Sequence, residues 1–199
     1  MQCRPAGCPF GQSCDLKDGV RDCVEQPGRC TLAPAARVVS FDGATGATTA
    51  TGIYVVATVC EPRQPTWFRL LADVGENQDR PAVVALHLFS PQAFVTIKRD
   101  KKVWVNGVPA TLPVEVSSTL TITETRGTIW ITQNPEFAIG LSPAGEVTMT
   151  VARDLSKQLC GICGNYDGNA ANDFQGPDGK LVRDMAAVAK AWRAPDFTH

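Results

Sequence analysis

No stretch of this 199-residue sequence approaches the roughly 18–20 apolar residues that a membrane-spanning helix needs. The longest apolar runs, such as AVVALHLF at 82–89, have the length of a strand. An excess of one charge is missing as well. A formal net charge of −1 leaves no electrostatic footprint for nucleic acid or an anionic membrane surface, so neither is expected as a partner. Histidine is scarce, with His87 and His199 the two in the chain. No nucleophile–base–orienter set can be assembled, so a hydrolase is not expected. No Asn-X-Ser/Thr sequon occurs, and N-glycosylation of this segment is not expected. The opening residues have neither a basic nor an apolar leader region, so no signal peptide is read.

What the chain has is cysteine, eight in all, in an otherwise ordinary globular composition of 44% hydrophobic and 20% charged residues. An even count at this density is the usage of an exported protein. The sequence therefore reads as a piece of a larger secreted, extracellular protein. Cys3, Cys8, Cys14, Cys23 and Cys30 crowd into the first 30 positions, among Pro, Gly and charged residues with little to build a core. So small a segment needs covalent staples. Residues 2–29 are expected to form a separate disulfide-rich module with little regular structure, and residues 30–195 the main domain.

From about residue 30, short runs rich in Val, Ile, Thr and aromatics follow one another: GIYVVATVC, TWFRLLADV, AVVALHLFS, LTITETRGTIWIT, FAIGLSPAGEVTMTVA. Many alternate apolar and polar residues, and Pro, Gly, Asn or Asp bound each one. VNGV at 105–108 and SPAGE at 142–146 read as hairpin turns. The fold class is mainly β, an antiparallel sandwich or barrel. One helix is predicted near the end, where Leu181, Met185, Val188 and Trp192 recur at intervals of three and four. Its expected role is to cap a sheet edge.

The stretch CGICGNYDGNAANDF at 160–174 carries the chemistry. A redox Cys-X-X-Cys opens a helix in a βαβ setting, whereas this one follows a β region and precedes turn chemistry. A disulfide isomerase is thus the weaker alternative. Structural zinc wants four Cys or His ligands, and no second knuckle is visible. Asn165, Asp167, Asn169, Asn172 and Asp173 offer hard oxygen donors, with Gly164 and Gly168 allowing a tight fold. Oxygens at i, i+2 and i+4 suit Ca²⁺, yet Gly176 stands where an EF-hand has its bidentate Glu. From these residues alone, a calcium loop and an Asx-rich surface turn both remain open.

SFDG at 40–43, GIYVVATVC at 52–60, VWVNGVPATLP at 103–113 and CGICGNYDGNAANDF occur together in an order that resembles the von Willebrand factor type D domain. The leading CRPAGCPFGQSCDLKDGVRDC is similar to the small TIL/E-like cysteine-rich module that precedes such domains. The resemblance implies one Ca²⁺ held by Asp42, Asn165, Asp167, Asn172 and Asp173 and by the carbonyl of Asn169. It also implies disulfides Cys30–Cys163 and Cys60–Cys160, and the remaining cysteines are assigned as Cys3–Cys14 and Cys8–Cys23. Family members usually carry a further Cys where this chain has Ile53; its partner, beyond the terminal helix, is missing too. With every cysteine used, the piece is expected to be monomeric. Some relatives cleave themselves at an Asp-Pro bond, which this sequence lacks. The implied function is a non-enzymatic, calcium-stabilised structural or adhesion module of a mucus, matrix or gamete-coat glycoprotein, with other protein modules as partners. The alternative is a specific protein-binding module, for instance for immunoglobulin Fc.

Overall fold

Alternation along the strands divides each into an inner and an outer face. In VTMTV at 147–151, Val147, Met149 and Val151 are buried while the two threonines are half-buried. The same period buries Leu120 and Ile122, then Ile129 and Ile131, then Phe137 and Ile139. In the computed structural model, which describes residues 3, 7–9, 11–34, 37–47, 51–182 and 184–197, these faces close on one core.

The strands, in chain order, are β1 (Gln12–Lys17), β2 (Val20–Glu25), β3 (Gly28–Ala33), β4 (Arg37–Val39), β5 (Thr45–Ala47), β6 (Gly52–Val59), β7 (Arg69–Asn77) and β8 (Arg80–Phe89). They continue as β9 (Phe94–Lys98), β10 (Val103–Val105), β11 (Val108–Ala110), β12 (Val114–Glu115), β13 (Leu120–Thr125), β14 (Thr128–Gln133), β15 (Phe137–Leu141), β16 (Val147–Val151) and β17 (Leu159–Cys160). One sheet has the order β11-β10-β9-β8-β7-β6-β17, the other β12-β13-β14-β15-β16-β3-β4-β5. All pairings are antiparallel. Inner residues of both sheets form one apolar cluster. Phe68 and Phe137, with ring centroids 4.6 Å apart, meet across it.

Two connections determine where the chain's ends come to lie. The early strand β3 pairs with the late strand β16, and the late strand β17 pairs with the early strand β6. The β4–β5 turn and the segment after β17 are thereby brought side by side.

The N-terminal segment carries more regular structure than its composition suggests. β1 and β2 form a hairpin with Cys14 opposite Cys23, joined at Asp18 (φ 52°) and Gly19 (φ 80°). Asp-Gly favours this left-handed two-residue turn, a signal present in CDLKDGVRDC but outweighed by the cysteine density. The turn at Asn106 and Gly107 joins β10 to β11, and the SPAGE turn joins β15 to β16 through Ser142 and Glu146.

Helix α1 (Met185–Ala191) is shorter than predicted. Leu181, placed in its apolar stripe from periodicity, lies before the helix in an isolated bridge with Gln175 and is 63% exposed. Asp184 accepts from Ala187 N at 2.8 Å and starts the helix three residues later, because an N-cap aspartate satisfies an otherwise orphaned amide. Val188 is fully buried, and Trp192 donates from Nε1 to the Gln175 carbonyl at 2.8 Å. The side chain of Met185, and His199, lie outside the described residues.

The segment just after the helix, rather than the helix itself, closes the edge of β6. Val55 N donates to Trp192 O (2.8 Å) and Ala194 N to Ile53 O (2.9 Å). Ile53 packs into a small outer cluster with Val55, Leu71, Ala194 and Phe197. Phe197 lies over His87 at 4.5 Å and over Phe89 at 5.8 Å. His87, left open between core and surface by its sequence, is buried beneath this tail with Nδ1 2.9 Å from Thr96 Oγ1. Arg69 adds a two-pronged bridge to Asp196, at 2.7 and 2.9 Å. Hydrogen bonding to Arg69 holds the Asp196 carboxyl below its ordinary value. Since the Asp196 side chain is 60% exposed, Asp196→Asn is expected to cost under about 1 kcal/mol. Urea unfolding checks this, and a larger loss would show that the tail docks mainly through charge.

Candidate metal centre

The cysteine motif is held by a defect in the neighbouring strand. β6 changes register against β7 between Val55 and Ala57, and the motif crosses at this bulge. Cys160 pairs with Thr58, after which Ile162 N donates to Val55 O (3.1 Å) and Cys163 N to Val56 O (3.0 Å). Gly161 makes the crossing possible. Its φ is 122°, and a Cβ there would stand 2.6 Å from the Val56 carbonyl oxygen. The two sulfurs diverge: Cys160 bonds Cys60, and Cys163 bonds Cys30. The N-terminal pairs are Cys3–Cys14 and Cys8–Cys23, and no cysteine is free.

Across from this loop, the β4–β5 turn presents Ser40 and Asp42. Ser40 Oγ accepts from Ala44 N (2.9 Å), and Gly43 N donates to Ser40 O (3.1 Å). The turn is anchored when Phe41 N donates to Cys163 O (3.0 Å) and the Phe41 ring meets Tyr166 at 5.5 Å. Tyr166 itself fills the space over Gly28, where a Cβ would sit 2.6 Å from its ring.

Asp42 then receives two backbone donors from a segment about 125 residues away. Asp167 N reaches Oδ2 at 3.0 Å and Gly168 N reaches Oδ1 at 2.9 Å. Carboxylate oxygens of Asp42, Asp167 and Asp173 lie within 4.8 Å of one another. Around them, Asn172 Nδ2 donates to Asp167 Oδ2 at 2.6 Å, and Asn165 Nδ2 bridges Asp167 Oδ2 and Asn172 Oδ1, both at 3.3 Å. Asn169 stands apart. Its side chain accepts from Ala171 N (3.1 Å), and its carbonyl accepts from Asn172 N (3.3 Å).

Local Asx turns are therefore part of this loop, with Asn169 N also donating to Asp167 Oδ1 at 2.9 Å. They do not account for all of it. Asp173 Oδ1 and Asn165 Oδ1 are buried with no hydrogen-bond partner among the described residues. Buried acceptors without a donor are uncommon and costly. These two oxygens, one of them on Asp173 itself, together with the Asp42 and Asp167 carboxylates, and with no Lys or Arg among the described residues hydrogen-bonded to the group, form a donor set that a hard cation satisfies. A half-turn of the Asn172 amide exchanges its Nδ2 and Oδ1, which would add a further oxygen.

The electrostatics separate the three acids. Asp173 is 2% exposed, and burial, reinforced by the Asp42 charge, pushes its carboxyl up to about 7 against the opposing hydrogen bond from Ser40. Burial also pushes Asp167 upward, but hydrogen bonds from Asn172, Asn169 N and Asn165 outweigh it and leave the group below its ordinary value. One contributor, Ser40, has a role that the sequence does not reveal, while Gly164 acts in the tight fold expected of it. Ser40 donates to Asp173 Oδ2; it stood inside the quoted SFDG motif, yet nothing local marks its partner 133 residues away. Gly164 (φ 85°) leaves room for Asp173, since a Cβ would fall 2.5 Å from Oδ1.

Comparison with known proteins agrees with this geometry. Residues 30–180 match the von Willebrand factor type D domain. The chain is similar to the human (Homo sapiens) IgGFc-binding protein, with 35% identity over 100% of the chain and 4% of that protein. It is similar to human zonadhesin at 27% over 98% of the chain and 7% of the relative, and to chicken (Gallus gallus) alpha-tectorin at 25% over 97% and 9%. The chain thus spans under a tenth of the length of each of these relatives. With a two-sheet antiparallel fold, a divergent Cys-X-X-Cys and a match covering most of its length, the chain belongs to the von Willebrand factor type D domain family.

Proposed function

We propose that the chain is a non-catalytic extracellular module, stabilised by Ca²⁺, that serves as a rigid building block in a larger mucus, matrix or gamete-coat protein. One observation carries the calcium component: Asp42, Asp167 and Asp173 converge from opposite ends of the domain, with Asp173 Oδ1 and the adjoining Asn165 Oδ1 buried and lacking donors among the described residues. Bound there, the ion supplies positive charge that offsets the mutual repulsion of the carboxylates. The chain's own part is to hold these oxygens in place through Ser40, Gly164 and the two amides donated to Asp42. Residue 42 would then be joined to the 165–173 loop beside the joint that Cys30–Cys163 already makes. The non-catalytic component is supported by the cysteine pair, whose sulfurs bond to different partners and so do not form the dithiol couple a disulfide isomerase cycles.

Calorimetric titration tests the ion. About one Ca²⁺ per chain is expected, with Asp42→Asn and Asp167→Asn each weakening binding at least about tenfold, the loss of roughly 1.4 kcal/mol. An unmodified protein with no binding heat and an unchanged melting temperature in EGTA would remove calcium from the function.

A second reading is favoured by the 35% identity to the IgGFc-binding protein, namely specific recognition of immunoglobulin Fc. Titration with purified Fc decides it, and the absence of saturable binding would eliminate that reading.

A further inference from the structure

At one end of the sandwich, loops from both sheets enclose a cavity of about 80 Å³ that plays no part in the metal centre. The β6–β7 loop contributes Pro65, Trp67 and Phe68, the β8–β9 turn contributes Pro91, and the β14–β15 turn contributes Glu136 and Phe137. Phe68 and Phe137 are buried, their rings tilted at 49° with centroids 4.6 Å apart, which gives the cavity a fixed aromatic lining. Trp67 is half-buried at its wall. Its backbone is held by a 3.0 Å bond to Gln64 O, and Gln92 is braced by Ser117 Oγ at 2.7 Å.

Glu136 is the one charged residue in this lining. Its Oε2 is buried and has no hydrogen-bond partner among the described residues, and no ion pair described there involves it. Gln133 adds a second acceptor. Its Nε2 is committed to Thr119 Oγ1 at 2.8 Å, and no donor to its Oε1 is described. A carboxylate oxygen removed from water without a donor is destabilising, so the cavity favours an occupant that brings positive charge and N–H groups. A flat indole, aromatic carbons and two acceptors suit a guanidinium better than an ammonium. The guanidinium is planar, weakly hydrated, stacks on aromatic faces and bonds a carboxylate in a fork.

We infer that this cavity, walled by Trp67 and closed by Glu136, receives an arginine side chain from a partner polypeptide. The complementarity is one of charge and shape: one acid and three aromatic rings line the cavity, and no basic residue of the lining competes. This inference does not depend on calcium.

The test uses the full chain and N-acetyl-arginine amide, followed by NMR of the Trp67 indole N–H and the Gln133 side-chain amide. Saturable shifts at both are expected. N-acetyl-citrulline amide, equal in shape but neutral, is expected to bind at least about tenfold more weakly, and Glu136→Gln to lose arginine binding by a similar factor. Citrulline matching arginine on the unmodified protein would overturn the inference whether or not the variant folds. So would shifts confined to other sites, or no binding, which would leave solvent alone to satisfy Glu136. If the same two resonances move on raising protein concentration without probe, the occupant is a second copy of this chain, and the separate partner is overturned.

Discussion

Replacing Cys30 and Cys163 together by serine is expected to cost about 4 kcal/mol of folding stability. Taken alone, a bridge spanning 133 residues is worth about 5 kcal/mol in the chain-entropy treatment. The second bridge lowers this. Cys60–Cys160 is nested inside Cys30–Cys163, so with it intact the unfolded chain can pass from Cys30 to Cys163 through roughly 35 residues. The entropy restored on cutting the outer bridge is that of the shorter loop, hence about 4 kcal/mol. Removing both bridges is expected to cost about 8–9 kcal/mol, comparable to the whole stability of many domains, about 5–15 kcal/mol. Denaturant unfolding should show the outer pair of serines lowering the midpoint with a folded baseline preserved, and all four serines leaving no cooperative transition. A loss under about 1 kcal/mol for the outer pair would mean that this bridge does not restrain the unfolded chain. Both Cys30 and Cys163 are fully buried, so lost packing adds to the entropic cost.

The second large effect concerns pH, and its sign is expected to reverse if the proposed ion binds. Asp173 has its carboxyl raised from 3.8 to about 7, chiefly by burial and then by Asp42. Between those values the folded state binds more protons than the unfolded state, so stability falls as pH rises. The contribution is fully present below about pH 4 and lost as pH passes through about 7. Its size is on the order of 2–4 kcal/mol, at about 1.4 kcal/mol per unit and discounted because Asp42 shares the interaction. In EGTA the melting temperature is thus expected to fall by several degrees between pH 5 and pH 8 on account of this group. If Ca²⁺ binds as proposed, saturating ion would favour the charged form, protons would compete with it, and the same window should show stability rising with pH. Asp173→Asn removes the titrating group. If the variant keeps the ion-free slope of the unmodified protein, Asp173 is not the group responsible.

These two effects rest on different kinds of information. The β class was legible along the chain, because the period-two pattern in VTMTV or LTITET marks a half-buried strand whatever its partner. The turns at Asn106–Gly107 and at 142–146 were legible for the same local reason. The end of the chain was misread where a local rule met competition. Leu181 fits the helical spacing, but Asp184 offers a cap three positions later and Gln175 takes Leu181 into a bridge instead. The donor-rich loop at 165–173 was visible as composition, while its meaning was not, since an Asx turn and an ion site draw on the same residues.

By itself, then, the sequence determined the sheet-forming segments, their turns and the supply of oxygens and sulfurs, all properties of neighbours within a few residues. Tertiary structure alone decided that β3 pairs with β16 and β17 with β6, that Ser40 reaches Asp173, and that Asp42 takes its donors from Asp167 and Gly168. It also decided that Glu136 loses solvent among Trp67, Phe68 and Phe137. The physical reason is that burial and charge repulsion depend on what stands opposite in space, and the groups opposite one another here are separated by up to 133 residues of chain.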